Sequence, residues 1–208
     1  MVLQCLEKDT FKICRDSHGT RSIQKLIEVV KLPIHFEIIR HHLKTCMVDL
    51  CYDINGNHVI QKILKTWRPL DNQFIYDAMN EQCATIACHK HGCCIMQKCI
   101  DSATENQMHQ LTHAIASNTL AFVMDPFANY VVQYILKLKI DGVNAMISQK
   151  LLSQYVHFSK QKFSSNVIEK CLEYNAEATN DEIVRTIMIS HPESIYSLIS
   201  HQFGNYVI

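Results

Sequence analysis

Residues 127–138 read FANYVVQYILKL, and the heart of that stretch, Asn129-Tyr130-Val131-Val132-Gln133, returns along the chain. Asn57-His58-Val59-Ile60-Gln61, Cys93-Cys94-Ile95-Met96-Gln97 and Ser165-Asn166-Val167-Ile168-Glu169 are versions of the same pentad, and the four begin 36 residues apart, at 57, 93, 129 and 165. Thr20-Arg21-Ser22-Ile23-Gln24 precedes them by 37 residues, and Asn205-Tyr206-Val207-Ile208 follows by 40. A fixed period of this size is the signature of a stacked repeat array.

The alignment extends beyond the pentad. Seven residues before it stand Ile13, Leu50, Ile86, Phe122, Phe158 and Leu198, all apolar. Immediately before it stand Gly19, Gly56, Gly92, Ala128, Ser164 and Gly204, all small. A small residue in that register suits a helix start that comes close to another backbone. Starting each unit 12 residues before its pentad gives 8–44, 45–80, 81–116, 117–152, 153–192 and a partial unit at 193–208, together one repeat domain over 1–208. Each unit reads as three helices. In 117–152 these are Asn118 to Met124, about Ala128 to Leu138, and a third from near Asp141-Gly142 to Leu152. Pro33 and Pro69 open the third helix of the first two units. The unit 153–192 carries about four extra residues, placed near Asn175 to Asn180 as a longer loop. Residues 1–7 read as the tail of a preceding helix and Ile208 falls inside a second one. Both ends therefore point to a piece of a longer array, or to a truncated gene product, with exposed apolar surface, since solenoids end in polar caps.

Hydrophobic residues make up 48% of the 208-residue chain and charged ones 19%, enough for an ordered core rather than disorder. Five glycines and four prolines favour helices with short connections. The 20 basic and 20 acidic residues cancel, so any nucleic-acid role must rest on local contacts rather than a basic field. No signal peptide is visible and no apolar run approaches the ~20 residues of a membrane span. The expectation is a soluble protein of the cytoplasm, with ten reduced cysteines rather than a disulfide framework.

On an α-helix, pentad positions 1, 2 and 5 form one patch, while positions 3, 4, 7 and 8 form the opposite stripe. The stripe is apolar, as in Val131, Val132, Ile135 and Leu136, or Val167, Ile168, Cys171 and Leu172, and is expected to be core. The patch is then expected to be exposed. Position 5 is Gln24, Gln61, Gln97, Gln133 and Glu169. Position 1 is Thr20, Asn57, Cys93, Asn129, Ser165 and Asn205; position 2 is Arg21, His58, Cys94, Tyr130, Asn166 and Tyr206. Amides offer donor and acceptor together, and Arg, His and Tyr present flat groups for stacking on bases. One amide and one flat group per unit is what reading a strand one base at a time requires. A carboxylate at position 169 matches the two adjacent N–H donors of guanine, which a glutamine does not. Spacing alone leaves a peptide ligand equally open, and Tyr130 and Tyr206 would also serve for packing between repeats.

The segments HGTRSIQKLIE (18–28), NGNHVIQKIL (55–64), HGCCIMQKCI (91–100), DPFANYVVQYIL (125–136), FSSNVIEKCLE (163–173) and FGNYVI (203–208) resemble the Pumilio (PUF) family of RNA-binding proteins over essentially the whole chain. The resemblance implies an all-α, right-handed α-solenoid of ~36-residue three-helix repeats, a crescent with the pentad helix on its concave side. It matches repeats three to eight of the family array. In that family positions 1 and 5 read base edges and position 2 stacks. Asn57 with Gln61 and Asn129 with Gln133 then imply uracil, Cys93 with Gln97 adenine, and Ser165 with Glu169 guanine. Thr20 with Gln24 resembles the adenine pair, and Asn205 implies uracil without its partner. Read antiparallel, the implied target is 5′-UGUAUA-3′. Cys94 departs from the flat stacking group, which implies weaker stacking there. The family resemblance further implies binding to UGUA-type elements in mRNA 3′ untranslated regions and control of translation or mRNA stability through decay or repression proteins. A protein-binding solenoid with an unused RNA face is the alternative.

Cys83, Cys88, Cys93, Cys94 and Cys99 with His89 and His91 invite a zinc site, but the repeat register explains them better: Cys99 aligns with Ile63 and Ile135 and is expected in the core. No cofactor, metal, small-molecule substrate or membrane partner is expected. The chain also lacks the nucleophile, Walker and zinc-protease motifs of common enzymes.

Overall fold

The structure, a computed structural model, describes residues 9–140, 142–190 and 192–208. The expected helical tail at residues 1–7 and the helix start at Asp141 lie outside the described residues. Every repeat delivers helices in the expected order. The first contains α1 (Thr10–Arg15), α2 (Gly19–Val29) and α3 (Pro33–Lys44). The second contains α4 (Met47–Tyr52), α5 (Gly56–Thr66) and α6 (Gln73–Glu81), the last preceded by a 3-10 turn at Pro69–Asn72. The third contains α7 (Cys83–Ala87), α8 (Gly92–Ser102) and α9 (Glu105–Ser117). The fourth contains α10 (Thr119–Phe122), α11 (Ala128–Lys137) and α12 (Val143–Leu151). A 3-10 turn at Leu152–Gln154 leads into α13 (Tyr155–Ser159), α14 (Ser164–Tyr174) and α15 (Glu177–Ser190). Last come α16 (Pro192–Ile199) and a 3-10 turn at Gly204–Tyr206 where the pentad returns. Ile208 thus follows a 3-10 turn rather than sitting inside an α-helix.

The chain forms two compact units, Met1–Leu111 and Thr112–Ile208. In the first, equivalent helices of successive repeats lie side by side: α2 on α5 and α5 on α8, α1 on α4 and α4 on α7, and α3 on α6. In the second, α11 packs on α14, α14 on the 204–206 turn, and α13 on α16. Rows of equivalent helices, three in the first unit and two in the second, are the building plan of a solenoid.

The registers explain the packing. Gly19 and Gly92 start pentad helices so near the preceding short helix that an added Cβ would stand 2.5 Å from the carbonyl oxygen of Ile13 and 2.2 Å from that of Ile86. The apolar position seven before the pentad and the small position one before it are therefore the two halves of one contact. Ser164 occupies the same place by donating its hydroxyl to the Phe158 carbonyl at 2.7 Å. Buried polar reaches tie adjacent repeats together. Trp67 Nε1 donates to the Ile27 carbonyl at 3.3 Å, and the Tyr76 hydroxyl to that of Cys99 at 2.8 Å.

The expected loop in the fifth repeat is not a loop. Asn144 and Asn180 sit 15 residues after the starts of their pentads, and each donates to a carbonyl eight residues earlier, Leu136 at 2.9 Å and Leu172 at 2.7 Å. The register is thus unbroken through Asn180. The four extra residues fall beyond it and lengthen α15 to 14 residues, against nine in α12. The composition of the helix, with Glu177, Ala178 and Glu182 among helix-tolerant neighbours, allows it.

Candidate nucleic-acid interface

The pentad stripe is core as expected. Val59, Ile60, Ile63, Val131, Val132, Ile135, Leu136, Val167, Ile168 and Cys171 are all fully buried, while Leu172 is half-buried. Cys99 is completely buried among them, and burial drives its thiol pKa far above the ordinary value. All six position-2 residues, Arg21, His58, Cys94, Tyr130, Asn166 and Tyr206, are exposed. Tyr130 is 58% and Tyr206 75% exposed, so neither ring is consumed in packing between repeats.

Position 1 departs from the expected exposed patch. Thr20, Asn57, Cys93, Asn129 and Ser165 are buried; Asn205 alone of the six is exposed. Hydrogen bonds to the turn before the helix hold these side chains down. Asn57 Nδ2 donates to the carbonyls of Asp53 and Ile54, each at 2.9 Å, and Asn129 Nδ2 to that of Asp125 at 2.8 Å. The Thr20 hydroxyl donates to the carbonyl of Asn55, in the next repeat, at 3.1 Å. Cys93 Sγ faces the Lys90 carbonyl at 3.3 Å.

Position 5 then closes over position 1. Gln61 Nε2 donates to Asn57 Oδ1 at 2.8 Å, Gln133 Nε2 to Asn129 Oδ1 at 2.9 Å, and Gln24 Nε2 to Thr20 Oγ1 at 3.2 Å. Each clasp uses one N–H of the glutamine and leaves its carbonyl and second N–H for a ligand. Gln97 and Glu169 are likewise half-buried; Glu169 lies 3.3 Å from Lys170 Nζ. The structure thus brings positions 1 and 5 together in each of these three clasps and sets position 2 beside them.

One further register of the repeat organises this arrangement. Four residues before each pentad stand Asp16, Asp53, His89, Asp125, Gln161 and His201. Asp53 Oδ1 accepts from the backbone N–H of Asn55 and Gly56 at 2.9 and 2.8 Å, and Asp125 Oδ1 from those of Phe127 and Ala128, both at 2.8 Å. Asp16 does the same for His18 and Gly19. These carboxylates satisfy N–H groups that the first helical turn leaves unpaired. Burial alone would raise the Asp53 pKa. The Gly56 N–H, Arg15 at 2.8 Å and the Asn55 N–H outweigh it and hold the carboxyl below its ordinary range. The alignment of three aspartates was the available signal.

At His89 and His201 the acceptor is the imidazole Nδ1. His89 Nδ1 accepts from His91 and Gly92 at 3.2 and 3.4 Å, with its ring 4.3 Å from that of Tyr52. Burial, and then the neighbouring His91 charge, lower the His89 pKa from its ordinary 6.5. A base whose folded pKa is depressed binds its proton more readily when unfolded, so stability is full above about pH 6.5 and declines as the pH falls toward the folded value. In urea titrations, His89→Asp is expected to remove part of the wild-type decline between pH 7 and pH 5.5, on the scale of one helix cap, about 1 kcal/mol. An unchanged pH profile would show that the cap does not titrate.

A family model, the Pumilio-family RNA binding repeat, matches residues 9–40, 46–79, 82–116, 118–138, 154–188 and 194–208. Pumilio homolog 9 of Arabidopsis thaliana is 40% identical over 207 residues, covering all of this chain and 36% of that protein. A Pumilio domain-containing protein of Schizosaccharomyces pombe is 37% identical over 206 residues, 99% of this chain and 30% of that one. The chain therefore spans about a third of the length of these curated relatives. Among solved structures, the Puf4 RNA binding domain bound to an HO endonuclease RNA 3′ UTR recognition sequence superposes with a TM-score of 0.88 at 36% identity, over 99% of this chain and 65% of that one. With its six repeat matches and these relatives, the chain belongs to the Pumilio family of RNA-binding repeat proteins.

Proposed function

We propose that the chain binds single-stranded RNA sequence-specifically, one base per repeat, and prefers 5′-UGUAUA-3′. The observation that carries this is the repeated clasp: a position-5 amide held on a buried position-1 side chain, beside an exposed position 2. The free carbonyl and N–H of Gln61 and Gln133 complement the N3–H and a carbonyl of uracil. Glu169, half-exposed and acceptor-only as a carboxylate, complements the N1–H and N2–H of guanine. Arg21, His58, Tyr130 and Tyr206 supply faces for stacking, worth roughly 1–3 kcal/mol per base. In the cell, this activity would regulate translation or stability of messages carrying UGUA-type elements in their 3′ untranslated regions, in the cytoplasm, through decay or translation-repression proteins.

The test is a titration of the purified chain with a short RNA containing UGUAUA and with the same RNA carrying U in place of G. Tight binding lost on the single substitution is the expected result; equal or absent binding to both defeats the proposal and favours a protein ligand. Repeated across salt concentrations, the titration is expected to give a shallow slope. The formal charge is zero, and Lys62, Lys98 and Lys170 already pair with Glu28, Asp101 and Glu173. A slope implying about eight phosphate contacts, near −5.6 for a single strand, would contradict this.

A further inference from the structure

Among the nine described cysteines, Cys94 alone is exposed, and it is one half of a pair: its Sγ lies 3.9 Å from that of Cys93. Both sulfurs also converge on the Lys90 carbonyl, at 3.3 Å from Cys93 and 3.7 Å from Cys94. The pair occupies pentad positions 1 and 2 of the third repeat, on the helix α8. Consecutive residues of an α-helix point about 100° apart. Closing a disulfide at ~2.05 Å would therefore require unwinding the helix start. A larger atom that takes two sulfurs at once has no such requirement, because it bridges the gap.

We propose that Cys93 and Cys94 form a two-thiol binding site for trivalent arsenicals, and that filling it closes the third repeat to RNA. The second clause rests on the function proposed above; the first does not. For a monosubstituted arsenical in its hydrated form, R–As(OH)2, the exposed Cys94 thiol forms the first As–S bond, its proton leaving with one hydroxide as water. The Cys93 thiol then displaces the second hydroxide, again releasing water. Arsenic remains trivalent throughout, so no oxidant or reductant is needed. Cys93 is 5% exposed, and burial together with the neighbouring Cys94 raises its pKa to about 12. It therefore reacts second, by proximity, after Cys94 has tethered the arsenic. Cys51, Cys99 and Cys171 are fully buried and cannot be reached in the folded chain. The bridged arsenic and its substituent then stand at the edge-reading residue and at the stacking position together.

The experiment incubates the reduced chain with phenylarsine oxide under argon and counts adducts by native mass spectrometry. One adduct per chain is expected, removed by 1,2-ethanedithiol but not by the same thiol concentration supplied as 2-mercaptoethanol. Cys94→Ser and, separately, Cys93→Ser are each expected to lose it. Circular dichroism of both variants identifies a loss caused by unfolding, and the surface change Cys94→Ser keeps the test decisive if Cys93→Ser does not fold. No adduct, an adduct that survives Cys94→Ser, or equal reversal by monothiol and dithiol would overturn the site. Adduct formation is then expected to weaken UGUAUA binding at least tenfold relative to the untreated chain, while the same treatment leaves Cys94→Ser at its own untreated affinity, whatever that affinity is. An adduct without effect on RNA binding overturns the closure alone, while a chain that binds no RNA before treatment overturns the functional proposal and leaves the site standing.

Discussion

Glu169→Gln is expected to weaken binding to an RNA with guanine at the second base of UGUAUA by about 1–3 kcal/mol, roughly 5- to 150-fold, and to leave the other bases' selectivity unchanged. The size follows from what the substitution does at the edge. A carboxylate accepts from both guanine N–H groups, whereas a carboxamide presents one acceptor and turns a donor toward the second N–H. Leaving a desolvated donor unpaired costs more than losing an average hydrogen bond. Glu169 is also paired with Lys170 at 3.3 Å, and a surface pair of this kind contributes little, so removing it does not hide the effect. The complementary change is Gln133→Glu made together with Asn129→Ser, because a carboxylate cannot donate to Asn129 Oδ1 as Gln133 Nε2 does and a serine hydroxyl can donate to the carboxylate instead; the pair is expected to raise the affinity for guanine at that repeat. Competition titrations against the four bases at each position read both. Loss of affinity spread evenly over all bases would show that Glu169 serves the fold and not the choice of base.

Gly92→Ala is expected to destabilise the chain by about 1–3 kcal/mol, although alanine is the better helix former by about 1 kcal/mol. The added methyl would sit 2.2 Å from the Ile86 carbonyl oxygen and 3.1 Å from the Ile86 side chain. The obstacle is backbone, which cannot rotate away as a side-chain tip can, so α7 and α8 must separate. Ala128→Ser is the control. Its hydroxyl can donate to the Phe122 carbonyl as Ser164 does to Phe158 at 2.7 Å, and its effect is expected within about 1 kcal/mol. Urea midpoints followed by circular dichroism measure both, and a Gly92→Ala chain as stable as the parent would refute the close approach as the reason for the small register.

The alternation of Val131, Val132, Ile135 and Leu136 with Asn129, Tyr130 and Gln133 already specifies a helix with one buried and one polar face, and its return every 36 residues specifies a stack of such helices. A pattern that repeats is legible because each copy solves the same burial problem with the same neighbours. The small position before the pentad and the apolar position seven before it were legible for the same reason, though not as partners, since their meeting spans a turn. Composition misled at Asn175 to Asn180, where polar residues suggested a loop. Asn180 instead turns its amide onto the Leu172 carbonyl and keeps the repeat register, so the insertion passes into α15.

Helix periodicity places positions 1, 2 and 5 on one face, and the sequence alone determined that much. It could not determine depth. Asn57 and Asn129 are polar, yet they are buried, because carbonyls of the preceding turn, fixed by Asp53 and Asp125, lie within reach of their amides. Only the tertiary structure decided that position 1 is buried in five of the six pentads, that position 5 clasps it in three of them and that position 2 is the exposed flank. The physical reason is that depth depends on where neighbouring turns and repeats put their backbone polar groups, and one helix's periodicity carries no information about that.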